Sequence, residues 1–284
     1  MRGLGSLAYM VNAVLLAAGA EPKPVTRMIA GHLMLMDSRN RHHCWAVFLG
    51  VYNDELIAPL LGFLRPGGVA LDVGGNIGSV TVPLAIAAKR LGGHVVSVEP
   101  LLNNAEMMRE NLRLNQVEDV VTIIEAGLSS TPHEAELLLR EDFEMGSGVG
   151  NASVVEDGLP EHFKRVPIKL ETLDRLWPTL GNPRLDVVKV DIEGHEDRFL
   201  EGGAKTLATF RPVILMEVSR WFYRRRGLDF DRLIPGLLPS GYRIFSLSLT
   251  EIEDLKAWDG SDVLFVPEEK AGAPLTEQMA ELTA

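Results

Sequence analysis

Asp72, Gly74, Gly75, Asn76 and Gly78 crowd into ALDVGGNIGSV, residues 70–80, between a short apolar run and an amphipathic stretch. Glycines at such a turn let a ligand approach backbone N–H groups and the start of the next helix. In the nicotinamide-binding version, G-x-G-x-x-G, those groups hold a pyrophosphate. Here a carboxylate, Asp72, stands ahead of the glycines, which repels phosphate and favours the ammonium of a methionine moiety. Glu99 closes the next apolar run, HVVSVEP, with Pro100 beside it, where a carboxylate can accept both hydroxyls of a ribose. Glu125 and Ala126 close a third run, VVTIIEA, where the acid or neighbouring backbone can face an adenine edge.

Each residue also has a plainer reading. Asn76 suits a turn, Gly75 and Gly78 suit backbone shape, Glu99 suits a helix N-terminus, and Glu125 suits a solvated loop. Taken in order at successive strand ends, the acids describe a site for S-adenosylmethionine.

A second cluster follows in KVDIEGHE, which supplies Asp191, Glu193, His195 and Glu196, while Glu217 in LMEVS ends a neighbouring strand. Asp191 is expected to touch cofactor or substrate. A hydroxyl that attacks a sulfonium methyl needs help losing its proton. Asp191, Glu193 or His195 can act as a general base. Alternatively, Asp191 and Glu217 offer hard oxygen ligands for magnesium, which lowers the hydroxyl's pKa. The bland alternatives are an ion pair for Lys189, helix N-terminal charges for Glu193 and Glu196, and a capping-region position for His195. Asp174 in ETLDRL reads as structural. His42, His43 and Cys44 lack further ligands at metal-site spacing. Trp221, Phe222 and Tyr223 in WFYRRRG read as the rim of an acceptor pocket or as an interface helix.

Positioning these groups requires strands alternating with helices. Val69–Val73, HVVSVEP, VVTIIEA, LDVVKVDIEG and RPVILMEVS read as strands, and SVTVPLAIAAKR, LLNNAEMMRENLRLNQV and HEDRFLEGGAKTLATF as helices between them, the last ended by Gly202 and Gly203 or shortly after. That order predicts an α/β fold with a mostly parallel sheet and helices on both faces. GYRIFSLS and SDVLFVP predict an antiparallel C-terminal pair. HEAELLLR and RVPIKLE are β-segments flanking a glycine-spaced, lid-like insertion near 140–165. Residues 1–63 are expected to form a helical or extended cap, and 64–284 the catalytic domain.

The bulk composition narrows the partners. A formal charge of −11 disfavours a nucleic-acid partner, because only local patches such as Arg224 to Arg226 offset the repulsion. Cys44 is the lone cysteine of 284 residues, which excludes an intramolecular disulfide and suits a reducing, cytoplasmic compartment. The uncharged run GLGSLAYMVNAVLLAAGA ends in Ala18-Gly19-Ala20, which is similar to a signal-peptidase site. Its glycines and single preceding charge favour instead a helix packed on the domain or on a partner copy, without a stable membrane span and with a homodimer as one outcome.

DVGGNIG, VSVEP with NLRLN, ETLDRL, KVDIEGHE and RPVILMEV together make the sequence resemble the FkbM family of S-adenosylmethionine-dependent methyltransferases, over roughly residues 27–266. Family members usually carry alanine where Gly75 stands. The resemblance implies a Rossmann-like class I methyltransferase fold with seven strands, and methyl transfer to a hydroxyl of a small molecule such as a sugar, glycolipid or macrolide-type natural product. Competing readings are an N- or carboxyl-methyltransferase, a nicotinamide-dependent oxidoreductase, and a binding protein that has lost catalysis.

Overall fold

A computed structural model of the chain describes residues 25–37, 43, 46–47, 50, 53–139, 152–154, 164–218 and 220–272. The apolar N-terminal run, His42, Cys44 and most of the lid-like insertion lie outside these residues.

The described elements run β1 (Val25–Ile29), β2 (His32–Met36), α1 (Asp54–Leu61), β3 (Val69–Val73), α2 (Thr81–Leu91), β4 (His94–Val98), α3 (Leu102–Leu114), β5 (Val121–Ile124) and β6 (Gly127–Leu128). They continue with β7 (His133–Leu139), β8 (Ala152–Val154), β9 (Lys164–Glu171), α4 (Leu173–Thr179), β10 (Leu185–Val190), α5 (Glu196–Gly202), α6 (Ala204–Phe210) and β11 (Val213–Glu217). The last are α7 (Arg220–Arg225), α8 (Phe230–Leu237), β12 (Tyr242–Phe245) and β13 (Asp262–Pro267).

Seven strands form the main sheet in the order β12-β13-β11-β10-β3-β4-β5. All neighbouring pairs are parallel except those made by β13, which runs against both β11 and β12. The predicted C-terminal antiparallel pair is present. Because β13 inserts between β11 and β12, it alone is reversed.

Side-chain alternation along each strand feeds two apolar layers. Ala70, Val95, Val187 and Leu215 pack under α1, α2 and α3. Leu71, Val96, Val188 and Ile214 pack under α4, α5, α6 and α8. Strands buried on both faces read as continuous apolar runs, as those of this chain do. The fold is the α/β, Rossmann-like arrangement predicted from sequence, a seven-stranded, mostly parallel sheet with helices on both faces.

Ile29, Met34 and Met36 of the N-terminal hairpin and Leu56 and Leu60 of α1 belong to the first of these layers. The described part of the N-terminal segment thus shares the core of the sheet. The β-segments around the insertion form a separate sheet, β6-β9-β7-β8, in which β7 and β9 pair antiparallel from His133↔Leu170 to Leu139↔Lys164. The helix in HEDRFLEGGAKTLATF ends at Gly202, where its glycines predict, and a second short helix, α6, follows from Ala204. A Cβ on Gly202 would lie 2.0 Å from the Ser129 carbonyl oxygen, so this close crossing needs glycine. Asp174 accepts the N–H groups of Lys205 and Thr206 at 3.0 and 2.8 Å and so caps α6 from outside, the structural role its sequence predicts.

The chain steps outward from β3 through β4 to β5, then returns to place β10 on the other side of β3. That reversal opens a crevice at the carboxyl ends of β3 and β10.

Candidate active site

A cavity of about 300 Å³ occupies this crevice. Gly74, Gly75, Asn76, Glu99, Pro100, Asp191, Glu193 and His195 line it, so eight of the residues singled out in the sequence meet at one place. Leu137, Ile168 and Leu170 of the second sheet supply an apolar wall, and Asn53, Asn104 and Lys189 add polar groups. Asp72, Gly78, Glu125, Ala126 and Glu217 are not among the lining residues.

The glycine turn is closed on itself. The N–H groups of Gly74 and Gly75 donate to the Val98 carbonyl at 2.9 and 3.1 Å, and Gly78 donates to the Gly75 carbonyl at 2.8 Å. Asn76 N–H donates to Glu99 Oε2 at 2.9 Å, and Ile77 N–H donates to the Asn76 side-chain oxygen at 2.7 Å. The expectation that these amides point at a ligand is therefore corrected. Gly74, at φ +78°, is required by space as well: a Cβ there would sit 2.1 Å from the Asp191 carbonyl oxygen. A Cβ on Gly75 would sit 2.1 Å from Ser97 Oγ, so this glycine gives room to a serine hydroxyl on β4.

Asp72 requires a second correction. It is fully buried and reaches away from the cavity toward α2, where Thr81 Oγ1 donates to its Oδ2 at 2.6 Å. Lys189 Nζ lies 3.6 Å from the other oxygen. Asp72 braces the turn from beneath.

Of Asp72, Glu99 and Glu125, Glu99 is the one that lines the cavity. Leu101 N–H and Asn104 Nδ2 donate to its Oε1 at 3.0 and 3.2 Å, while Oε2 takes the Asn76 N–H. Burial pushes its pKa up, against the pull of these donors and of Lys189. Glu125, by contrast, is ion-paired to Arg109 of α3.

The sequence alone marks Lys189 only as an ion-pair residue. It is buried, lines the cavity and donates to the Gly74 carbonyl at 2.9 Å, with Asp191 Oδ2 at 3.4 Å. Burial pulls its ammonium down, but Asp191 and Asp72 outweigh that and hold it above the ordinary lysine range. The available signal was one charge inside the apolar run VVKV, since a fully buried lysine needs fixed partners.

Glu193 stands beyond Asp191 with a left-handed backbone, φ +55°. His195 is buried and shares a 3.0 Å hydrogen bond between Nε2 and Ser129 Oγ. Burial lowers its pKa to about 4, with Asp197 pulling the other way, so the ring is neutral at neutral pH. The pocket-rim reading of the aromatic segment is corrected too: none of Trp221, Phe222 and Tyr223 lines the cavity, and Tyr223 is buried with its hydroxyl donating to Glu196 Oε2 at 2.9 Å.

The residues do not fit the expected magnesium. Among the described residues no group of three or more His, Cys, Asp or Glu is placed to hold a metal ion. Asp191 already faces the Lys189 ammonium, a fixed positive charge that opposes a dication.

The family model for the methyltransferase FkbM domain matches residues 72–244. That span covers more than half of the chain, and the chain belongs to the FkbM methyltransferase family. Among solved structures it is similar to methyltransferase FkbM from Methylobacillus flagellatus KT, at 18% identity and TM-score 0.47, over 74% of this chain and 48% of that one. This chain thus spans about half the length of that protein. It is similar to cofactor-bound Rv0187 from MTB at 17% identity and TM-score 0.43, over 74% of this chain and 78% of that one. It is also similar to the O-methyltransferase TomG from Streptomyces achromogenes, involved in tomaymycin synthesis and solved with SAM, at 18% identity and TM-score 0.41, over 75% and 78% of the two chains. No curated protein matches the chain in sequence.

Proposed function

We propose that this protein transfers a methyl group from S-adenosylmethionine to a hydroxyl of a small molecule, of the sugar, glycolipid or macrolide-like kind. The observation that carries the cofactor choice is the closed glycine turn beside an acidic wall. Every N–H from Gly74 to Gly78 is engaged inside the protein, so the turn offers little to a pyrophosphate. Glu99, Asp191 and Glu193 around the cavity outnumber the single Lys189 ammonium there and favour a ligand that carries positive charge and hydroxyls instead. This weighs against a nicotinamide dinucleotide.

In this reading Glu99 holds the ribose hydroxyls, Pro100 and the apolar wall flank the nucleoside, and Asp191 faces the methionine end. Bound there, S-adenosylmethionine supplies an electrophilic methyl carbon and a neutral thioether leaving group. Glu193, which lines the cavity with Asp191, receives the proton of the attacking hydroxyl. Neutral His195, held by Ser129, orients the acceptor. Asn53, just ahead of α1, reaches the cavity from the N-terminal side of the chain.

Calorimetry with S-adenosylhomocysteine is expected to give micromolar-range binding. Glu99→Gln is expected to weaken it about ten- to a hundredfold, the range for a hydrogen bond to a charged group. Transfer of labelled methyl to a panel of sugars, glycolipids and polyketides tests the acceptor. A folded protein that binds no S-adenosylhomocysteine would remove the reading, and label appearing only on amines or carboxylates would redirect it.

A further inference from the structure

The segment WFYRRRG is left without a role once it is found away from the cavity. Its contacts converge on Gly194, the residue after Glu193. Resting on the methyl-transfer reading above, we infer that Arg226 and Tyr223 are positioning residues that lock the backbone of Gly194 and thereby aim Glu193 into the cavity.

Glutamate gains nothing from a left-handed backbone, so φ +55° at Glu193 persists only where neighbours impose it. Both backbone groups of Gly194 are tied down. Its N–H donates to Glu196 Oε1 at 3.1 Å, and its carbonyl accepts from Arg226 Nη1 at 2.9 Å. Phe222 closes the third side: a Cβ on Gly194 would sit 2.4 Å from Phe222 Cβ, so α7 packs directly on the turn.

The holders are themselves held. Arg226 forks onto Asp197, with Nη1 to Oδ1 at 2.9 Å and Nη2 to Oδ2 at 2.7 Å. The Tyr223 hydroxyl donates to Glu196 Oε2 at 2.9 Å and accepts the Asp197 N–H at 3.0 Å. Consecutive buried acids on the first turn of α5 thus divide the work. Glu196 takes the Gly194 N–H directly, and Asp197 fixes the arginine that takes the carbonyl. None of Glu196, Asp197, Tyr223 and Arg226 lines the cavity, so their effect on chemistry runs through the backbone of residues 193–195. Only a planar guanidinium satisfies Asp197 and the Gly194 carbonyl together; a lysine provides a single point charge.

The test uses the full chain with Arg226→Ala, Arg226→Lys and Tyr223→Phe, the last removing one oxygen and protecting against a failure to fold. Two readouts are needed. Amide hydrogen exchange across residues 191–195 is expected to speed up at least tenfold in Arg226→Ala and Tyr223→Phe while β3 and β4 keep their protection. Methyl transfer is expected to lose kcat by roughly ten- to a hundredfold, the scale of a misplacement of about 1 Å. KM for S-adenosylmethionine should stay within about twofold, added guanidinium should partly restore Arg226→Ala, and Arg226→Lys should remain impaired. Unchanged exchange in folded variants, or kcat falling only with the folded fraction and without guanidinium rescue, overturns the clamp. If wild-type protein transfers no methyl yet the variants show the exchange response, the methyl-transfer reading fails and the clamp stands.

Discussion

Lys189 Nζ donates to the Gly74 carbonyl at 2.9 Å, so an ammonium on β10 grips the turn that follows β3. The same ammonium is 3.6 Å from Asp72, whose Oδ1 makes no hydrogen bond and depends on that charge. Lys189→Met strips the cation from two carboxylates at once. Removing one side of a buried pair costs about 3–5 kcal/mol. The urea midpoint of Lys189→Met, and of Asp72→Ala for the same reason, is expected to fall accordingly. An unchanged midpoint for both would show that the pair does not brace the turn.

Glu196 and His195 make opposite contributions to stability across acid pH. Burial raises Glu196 to about 7 from 4.5, so its contribution is complete below pH 4.5 and is lost as pH rises through about 7. Burial lowers His195 to about 4 from 6.5, so its contribution is complete above pH 6.5 and is lost as pH falls through about 4. Between pH 4.5 and 6.5 the two slopes cancel. In Glu196→Gln only the histidine slope remains, and stability is expected to rise with pH in that window more steeply than in wild type, by up to about 1.4 kcal/mol per pH unit. Urea melts at three pH values check this; parallel profiles for the two proteins would count against the raised Glu196 carboxyl.

Asn111 of α3 and Asn115, the residue that ends it, act as a substitute strand for the N-terminal hairpin. Leu35 N–H donates to Asn111 Oδ1 at 2.5 Å, and Leu33 N–H donates to Asn115 Oδ1 at 3.1 Å. Asn115 Nδ2 returns a bond to the Leu33 carbonyl at 2.7 Å, and Asn111 Nδ2 reaches the Ile77 carbonyl at 2.8 Å. One buried amide therefore ties β2 to the end of the glycine turn. Asn111→Ala leaves the Leu35 N–H and the Ile77 carbonyl without this partner, at about 1–3 kcal/mol. Exchange at Leu35 is expected to accelerate well before that at β3. Equal protection in the variant would mean that the hairpin is held by its apolar contacts with the core alone.

Much of this was legible in the chain itself. Continuous apolar runs such as VALDV and LDVVKV announce strands buried on both faces, and their alternation with helices specifies a parallel sheet whose carboxyl edge must gather DVGGNIG, Glu99 and KVDIEGHE. Local spacing could not tell which acid at a strand end turns inward. Asp72 and Glu99 look equivalent in sequence, yet one is sealed under α2 and the other faces the cavity. The difference is set by where Thr81, Ser97 and Lys189 lie around each side chain. Those are contacts between separate strands and between a strand and α2.

The amino-acid order by itself therefore determined the fold class and the edge of the sheet where chemistry belongs, because side-chain periodicity and turn glycines act over a few residues. Only the tertiary structure decided that the glycine turn spends its own amides, that Lys189 is the hub between Gly74, Asp72 and Asp191, and that WFYRRRG serves Gly194 from behind the cavity. Each of these rests on groups brought together from distant parts of the chain, 115 residues apart for Lys189 and Gly74, by burial of the sheet between its two layers of helices.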